Sequence, residues 1–157
     1  QAPVFIHRLE ARLLASMPSE ITGDTKTINW VGYIDRIDRI GNQYRIVDYK
    51  SGKVSDDDVI YKGKETIVDS FKGCKHALQL AVYAYLFEAN YNFSPEVLGI
   101  YAIQRKNNAF FPLTLVDKTP DAFIQEFQAL MSSVIEEIFD PSEVFRHNAK
   151  AKYCNYC

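Results

Sequence analysis

The sequence predicts a mixed α/β domain, and three observations carry that expectation. Two β-rich runs meet at Gly41-Asn42, the stretch from His76 to Asn90 is rich in Ala and Leu without Gly or Pro, and Thr119-Pro120-Asp121 opens a second long helical stretch. With 157 residues, 47% hydrophobic and 13% aromatic, the chain can bury a real core, so one domain over residues 1–157 is expected rather than disorder. The formal net charge of -2 leaves no whole-chain basic footprint, and any contact with nucleic acid must be local. No apolar run reaches the roughly 18 residues of a membrane span, and no basic-then-apolar leader opens the chain. A soluble cytoplasmic protein without a membrane partner is therefore expected. Gln1 and the terminal Cys157 suggest a domain cut from a longer chain.

Taken in order, Val4 to Ala15 alternates loosely, with Arg8, Glu10 and Arg12 on one side and Leu9, Ala11 and Leu13 on the other, as in a half-exposed strand. A bend is expected from Met17 to Asp24, where Pro, Ser and Gly cluster, before a second extended run from Thr27 to Ile40. Gly41-Asn42 then separates it from a third run, Gln43 to Ser51. Gly supplies the positive φ of a tight primed turn, so runs two and three should pair as an antiparallel hairpin. Gly52 to Gly73 is polar and reads as a loop with at most a short helix, and His76 to Asn90 as a mostly buried helix. Val97–Gln104 and Phe110–Val116 are two further strands around a Lys106-Asn107-Asn108 turn. Thr119 is the N-cap of a helix running to about Phe139, with Pro120 in its first turn and Asp121 as the early acid.

The chemistry sits in the hairpin. Counting outward from a two-residue loop, Asp35 falls directly opposite Asp48, with their Cβ atoms roughly 5 Å apart on one face. Lys50, two residues beyond Asp48, points to that same face. Opposed like charges destabilise a sheet, so the pair calls for a cation, and carboxylate oxygens at this spacing suit Mg²⁺ or Mn²⁺. Such an ion and a neighbouring ammonium together serve phosphodiester hydrolysis. Taken singly, Asp35-Arg36 and Asp38-Arg39 fit cross-strand ion pairs on a solvated sheet equally well. Gln79 and Tyr83 lie one turn apart on one helix face, where Tyr83 taken alone reads as core.

Gly32-Tyr33-Ile34-Asp35, Asp48-Tyr49-Lys50-Ser51-Gly52 and Gln79-Leu80-Ala81-Val82-Tyr83 resemble, in residues and spacing, the three central motifs of the RecB- and AddB-type PD-(D/E)XK nucleases. The resemblance spans residues 32 to 83. It implies a restriction-endonuclease-like core, a central mixed sheet flanked by helices. It also implies metal ligation by Asp35 and Asp48, and catalytic roles for Asp35, Asp48, Lys50, Gln79 and Tyr83. The family's first core helix, which supplies a further His or Glu ligand, is not found ahead of Val4 and is expected to be missing from this stretch of chain. His7 and Glu10 are weak substitutes for that ligand, and His76 and His147 weaker still. Cys154 and Cys157 are similar to half of the terminal cysteine set that holds a [4Fe-4S] cluster in some relatives, although a lone Cys-x-x-Cys fits a zinc half-site as well. Cys74 reads as a packing residue.

The resemblance implies a Mg²⁺- or Mn²⁺-dependent deoxyribonuclease, exonucleolytic, acting on DNA delivered by a helicase subunit or a helicase domain of the same polypeptide in double-strand-break repair. A Cas4-like nuclease of CRISPR adaptation fits the same motifs. A binding or interaction module with lost chemistry is the third reading, and the intact Asp35, Asp48 and Lys50 argue against it. Lys53, Lys62, Lys64, Lys72, Lys75, Arg105 and Lys106 are candidates for a DNA groove, with a solvated face as the plainer account.

Overall fold

In a computed structural model, which describes residues 2–21, 23–63 and 75–144, the long runs at the start of the chain become a twisted ribbon. Strand β1 (Val4–Ile21) and strand β2 (Asp24–Ile40) pair antiparallel along their whole lengths, from Ile21↔Asp24 to Val4↔Ile40, with a register shift between Ile6 and Arg8. The bend expected from Met17 to Asp24 is thus confined to the residues around Gly23, whose φ is +84°. Pro18 stays in the strand, opposite Thr27, because β1 is an edge strand and an edge tolerates a missing N–H donor. From Ala11 onward β1 alternates cleanly: Ala11, Leu13, Ala15, Met17, Ser19 and Ile21 are buried and the residues between them are exposed.

Strand β3 (Gln43–Lys50) returns from the Gly41-Asn42 turn in the expected register, Ile40↔Gln43 through Arg36↔Val47, with Gly41 at φ +58°. After it come a 3-10 turn (Asp56–Val59) and the short β4 (Ile60–Tyr61), then helix α1 (Lys75–Tyr91). Strand β5 (Val97–Ala102) lies parallel to β3, from Arg45↔Val97 to Lys50↔Ala102. A parallel pair needs a long crossover, and α1 lies on it. The expected strand Phe110–Val116 is two strands in the structure. Strand β6 (Phe110–Pro112) completes a five-stranded mixed sheet of order β1-β2-β3-β5-β6, while β7 (Thr114–Leu115) pairs with β4 in a separate ribbon. Pairing with β5 still reaches one residue past Pro112, where Leu113 N donates to Leu98 O at 2.7 Å. Helix α2 (Pro120–Phe139) starts as expected, with the Thr119 side chain accepting from Ala122 N at 3.2 Å.

Both helices pack on one face of the sheet. A Cβ on Gly32 would meet Leu86 and Tyr83 of α1, and Trp30, two residues away on the same face, meets the ring of Phe127 on α2 at 5.8 Å. Helix α1 is sandwiched between sheet and α2, so Leu80, Ala81, Ala84, Leu86 and Phe87 are all fully buried, which accounts for its lack of a polar face. The result is the restriction-endonuclease-like mixed α/β architecture, with no helix ahead of β1 among the described residues. No helix among the described residues is long and apolar enough to cross a membrane.

Candidate active site

Four of the five residues singled out in the sequence meet in one hydrogen-bonded network where β3 faces α1. Asp48 is 2% exposed. Its Oδ1 accepts from Gln79 Nε2 at 2.8 Å, and the Tyr83 hydroxyl lies 3.5 Å from the same oxygen. Lys50 Nζ stands 2.7 Å from Asp48 Oδ2 and donates to Gln79 Oε1 at 2.8 Å. The second Nε2 hydrogen of Gln79 goes to the Tyr83 hydroxyl, again at 2.8 Å. Glutamine suits this position because one side chain offers an acceptor to the ammonium and two donors to the carboxylate and phenol. Lys50 is therefore held on both sides.

Asp35 joins from β2. The ladder to β3 ends at Arg36↔Val47, one pair short of Asp35 and Asp48, and Asp35 Oδ2 instead accepts from the backbone N of Tyr49 at 2.7 Å. Ile34, Ile37 and Ile46 all enter the single core under α1. Because Ile34 and Ile37 are three residues apart, the side-chain alternation of β2 slips by one between them, at Asp35. The neighbouring strand breaks at the same level: the ladder passes from Leu9↔Arg36 to Ala11↔Ile34 without a Glu10–Asp35 pair, and Glu10 has φ +47°. Such local irregularities re-aim side chains, and beyond this one the Asp35 charge acts on Asp48.

The opposite face of the same two strands is bolted down by charge. Asp38, fully buried, receives Arg45 through two bonds of 2.6 and 2.9 Å and Arg36 Nε at 2.8 Å. The Arg36 guanidinium also donates to the Tyr49 hydroxyl and lies 5.2 Å from that ring's centroid. Arg36 follows Asp35 and Tyr49 stands between Asp48 and Lys50, so this cross-strand brace sits directly behind the site. The ion pairing weighed for this segment thus exists, but through Asp38 rather than through Asp35. Arg39, in contrast, covers the ring of Phe5.

Burial holds the Asp48 carboxyl above its ordinary value; Lys50 offsets part of that rise, the Asp35 charge adds to it, and His76 lowers it. Burial also raises the Tyr83 phenol, against the bond from Gln79 and with the help of the Asp48 and Asp35 charges, so Tyr83 remains a neutral donor. His76, ranked low from sequence, is buried on α1 one turn before Gln79 and acts electrostatically on Asp48. The signal that could have found it is the shared helix face of residues 76, 79 and 83.

Asp48 Oδ2 is buried and, apart from its charge contact with Lys50, accepts no hydrogen bond. A buried anionic oxygen with open lone pairs, beside a second carboxylate, fits a hard divalent cation, which takes one or two carboxylates and fills its remaining positions with water and phosphate. Among the described residues no cluster of three or more His, Cys, Asp or Glu side chains converges for tighter ligation. His7 is not at the site; its ring packs against Tyr44 and Tyr91, at 5.5 and 5.6 Å. His147, Cys74, Cys154 and Cys157, with Lys64 and Lys72, lie outside the described residues.

The family model of the PD-(D/E)XK nuclease superfamily matches residues 5–157. No curated protein matches the chain. A solved structure titled "Crystal structure of SSO0001" is similar at 17% identity with a TM-score of 0.38, over 94% of this chain and 57% of its own. The chain thus spans a little over half the length of that structure.

Proposed function

Because the chain belongs to the PD-(D/E)XK nuclease superfamily, we propose that Asp35, Asp48, Lys50, Gln79 and Tyr83 form the hydrolytic centre of a deoxyribonuclease that depends on Mg²⁺ or Mn²⁺. Divalent ions are the general cofactors of this superfamily. The observation that carries the reading is the bridging of Gln79 between Lys50, Asp48 and Tyr83, all within 2.8 Å of its amide. No packing requirement explains an ammonium, a buried carboxylate and a buried phenol joined by one amide.

In this reading Asp35 and Asp48 hold the ion. When bound, it withdraws charge from the phosphate and favours the deprotonated form of a neighbouring water. Lys50, oriented by Asp48 and Gln79, directs an N–H toward the attacking oxygen and the phosphoryl oxygens, where negative charge grows. A P–O bond to water forms, a P–O bond to sugar breaks, and the leaving alkoxide gains a proton. Tyr83 keeps Gln79 in register. An exonuclease of the RecB or AddB type, working beside a helicase in double-strand-break repair, is the finer reading, supported by the joint match of three motifs over residues 32–83.

Lys50→Ala and Asp48→Ala are the decisive variants. On linear DNA with Mg²⁺ or Mn²⁺, each is expected to lower the cleavage rate by roughly a hundredfold or more. Melting curves and DNA binding in chelator separate that loss from unfolding. Calorimetry with Mn²⁺ should show weaker binding in Asp48→Ala than in the native chain. Undiminished cleavage by Lys50→Ala sinks the proposed mechanism, and equal Mn²⁺ affinity sinks the role given to Asp48.

A further inference from the structure

Beyond Lys50, the last residue of β3, an open cleft of about 430 Å³ is lined by Gly52, Lys53 and Val54 from one connection and by Ala102, Arg105 and Lys106 from another. The two connections are tied at the strand ends: Lys50 pairs with Ala102, and Ile103 N donates to Lys50 O at 2.9 Å. Ala102 and Val54 are buried in the core under α1, so the cleft opens on the face that carries Asp48 and Lys50. No carboxylate lines it. In the nearby acidic run, Asp58 accepts from Ser55 N and Oγ at 2.9 and 2.8 Å and caps its own 3-10 turn.

Three cations in one cleft are a concentration of charge that a chain with net charge -2 does not owe to its composition. No carboxylate pairs with Lys53, Arg105 or Lys106 among the described residues. Arg105 is also pre-placed, with its guanidinium 4.9 Å from the centroid of the Phe111 ring and its backbone N bonded to Ala102 O at 3.1 Å. Lys62, by comparison, borders a different cavity with Lys118 and Glu126 against α2.

We infer that this cleft is a phosphate subsite: Lys53, Arg105 and Lys106 hold the backbone phosphates of the DNA strand next to the one presented to Lys50. The inference rests on the nuclease reading for what Lys50 faces, but the binding it describes is measurable without cleavage. Each phosphate neutralised releases counterions, so the cleft should write itself into the salt dependence of binding.

The test compares the native full chain with the triple variant Lys53→Gln/Arg105→Gln/Lys106→Gln and with a control triple, Arg8→Gln/Arg12→Gln/Lys26→Gln, on the β1–β2 ribbon, which β3 separates from β5. A labelled oligonucleotide, single-stranded and as duplex, is titrated in chelator from low to moderate salt. Removing the cleft cations should weaken binding at least about tenfold at low salt. It should also reduce the slope of log K against log salt by about 0.7 per lost contact on single strands, or 0.9 on duplex. The control triple should leave the slope nearly unchanged. Equal affinity and slope in native and cleft variant overturn the inference, as does an equal loss in the control, or no measurable binding by the native chain. The two readings fail separately. Binding that depends on the cleft, without cleavage in Mg²⁺ or Mn²⁺, defeats the nuclease reading alone. Native cleavage with an unchanged KM in the cleft variant defeats the subsite alone.

Discussion

Asp48 illustrates how a buried carboxylate is kept at some cost to the fold. Its burial raises its pKa from an ordinary value near 3.8, and Lys50 and His76 only partly offset the effect. A group whose folded pKa is raised contributes stability that is fully present below its unfolded pKa and is lost as pH rises through the folded value. Asp48→Asn removes this titration. In chelator, the unfolding free energy of the native chain minus that of the variant should therefore fall as pH is raised from about 3 toward neutrality, as read by denaturant titration at several pH values. A difference independent of pH, or one that grows with pH, contradicts the assignment. Lys50→Ala should also be more costly than a surface change, because it strips a buried carboxylate of its counter-charge; loss of a partner from such a group costs about 1–3 kcal/mol.

At the scale of elements, the site depends on how closely α1 approaches β2. The glycine of the first motif has a physical reason: a Cβ at Gly32 would stand 2.4 Å from Leu86 Cδ1, with Tyr83 carbons at 3.7 and 3.8 Å. Leu86 is fully buried and cannot swing away into solvent. Gly32→Ala should therefore overpack the interface and destabilise the protein by about 1–3 kcal/mol. Relief comes by displacing the helix that carries Gln79 and Tyr83. Cleavage should consequently fall further than the folded fraction does, when rate and melting are measured on the same preparation. A rate that tracks the folded fraction would mean that the helix stays in place. Behind the site, the Arg36–Tyr49 brace holds β2 and β3 together at the level where their ladder has ended.

Among the described residues, a core joins the ribbon, the sheet and both helices. Phe127 is its junction, fully buried on α2 with its ring 5.8 Å from Trp30 of β2 and 5.9 Å from Tyr85 of α1. Phe127→Ala should cost about 3–5 kcal/mol in global stability. Because the ring meets Trp30 and Tyr85, the fraction that remains folded should cleave DNA near the native rate. A selective loss of rate at full folding would show that α2 positions the site, which this packing does not predict.

Elements whose causes are local could be read along the chain. Gly41 set the turn and hence the β2–β3 register, Thr119 and Pro120 set the start of α2, and the periodicity of Gln79 and Tyr83 set them on one face. What depends on partners distant in the chain emerged only on folding. The bend expected around Pro18 became strand because β1 lies at an edge, and Phe110–Val116 divided because its halves found different partners in β5 and β4. The hairpin count already set Asp35 against Asp48, but the slip in two strands at the level of Asp35 is one that no alternation rule in either strand reveals. The tethering of Lys50, the burial of Asp38 between two arginines, and the meeting of Lys53 with Arg105 and Lys106 all join residues from separate elements. Local propensity acts over a turn or a hairpin, whereas burial and charge pairing act between whichever groups the fold has brought together.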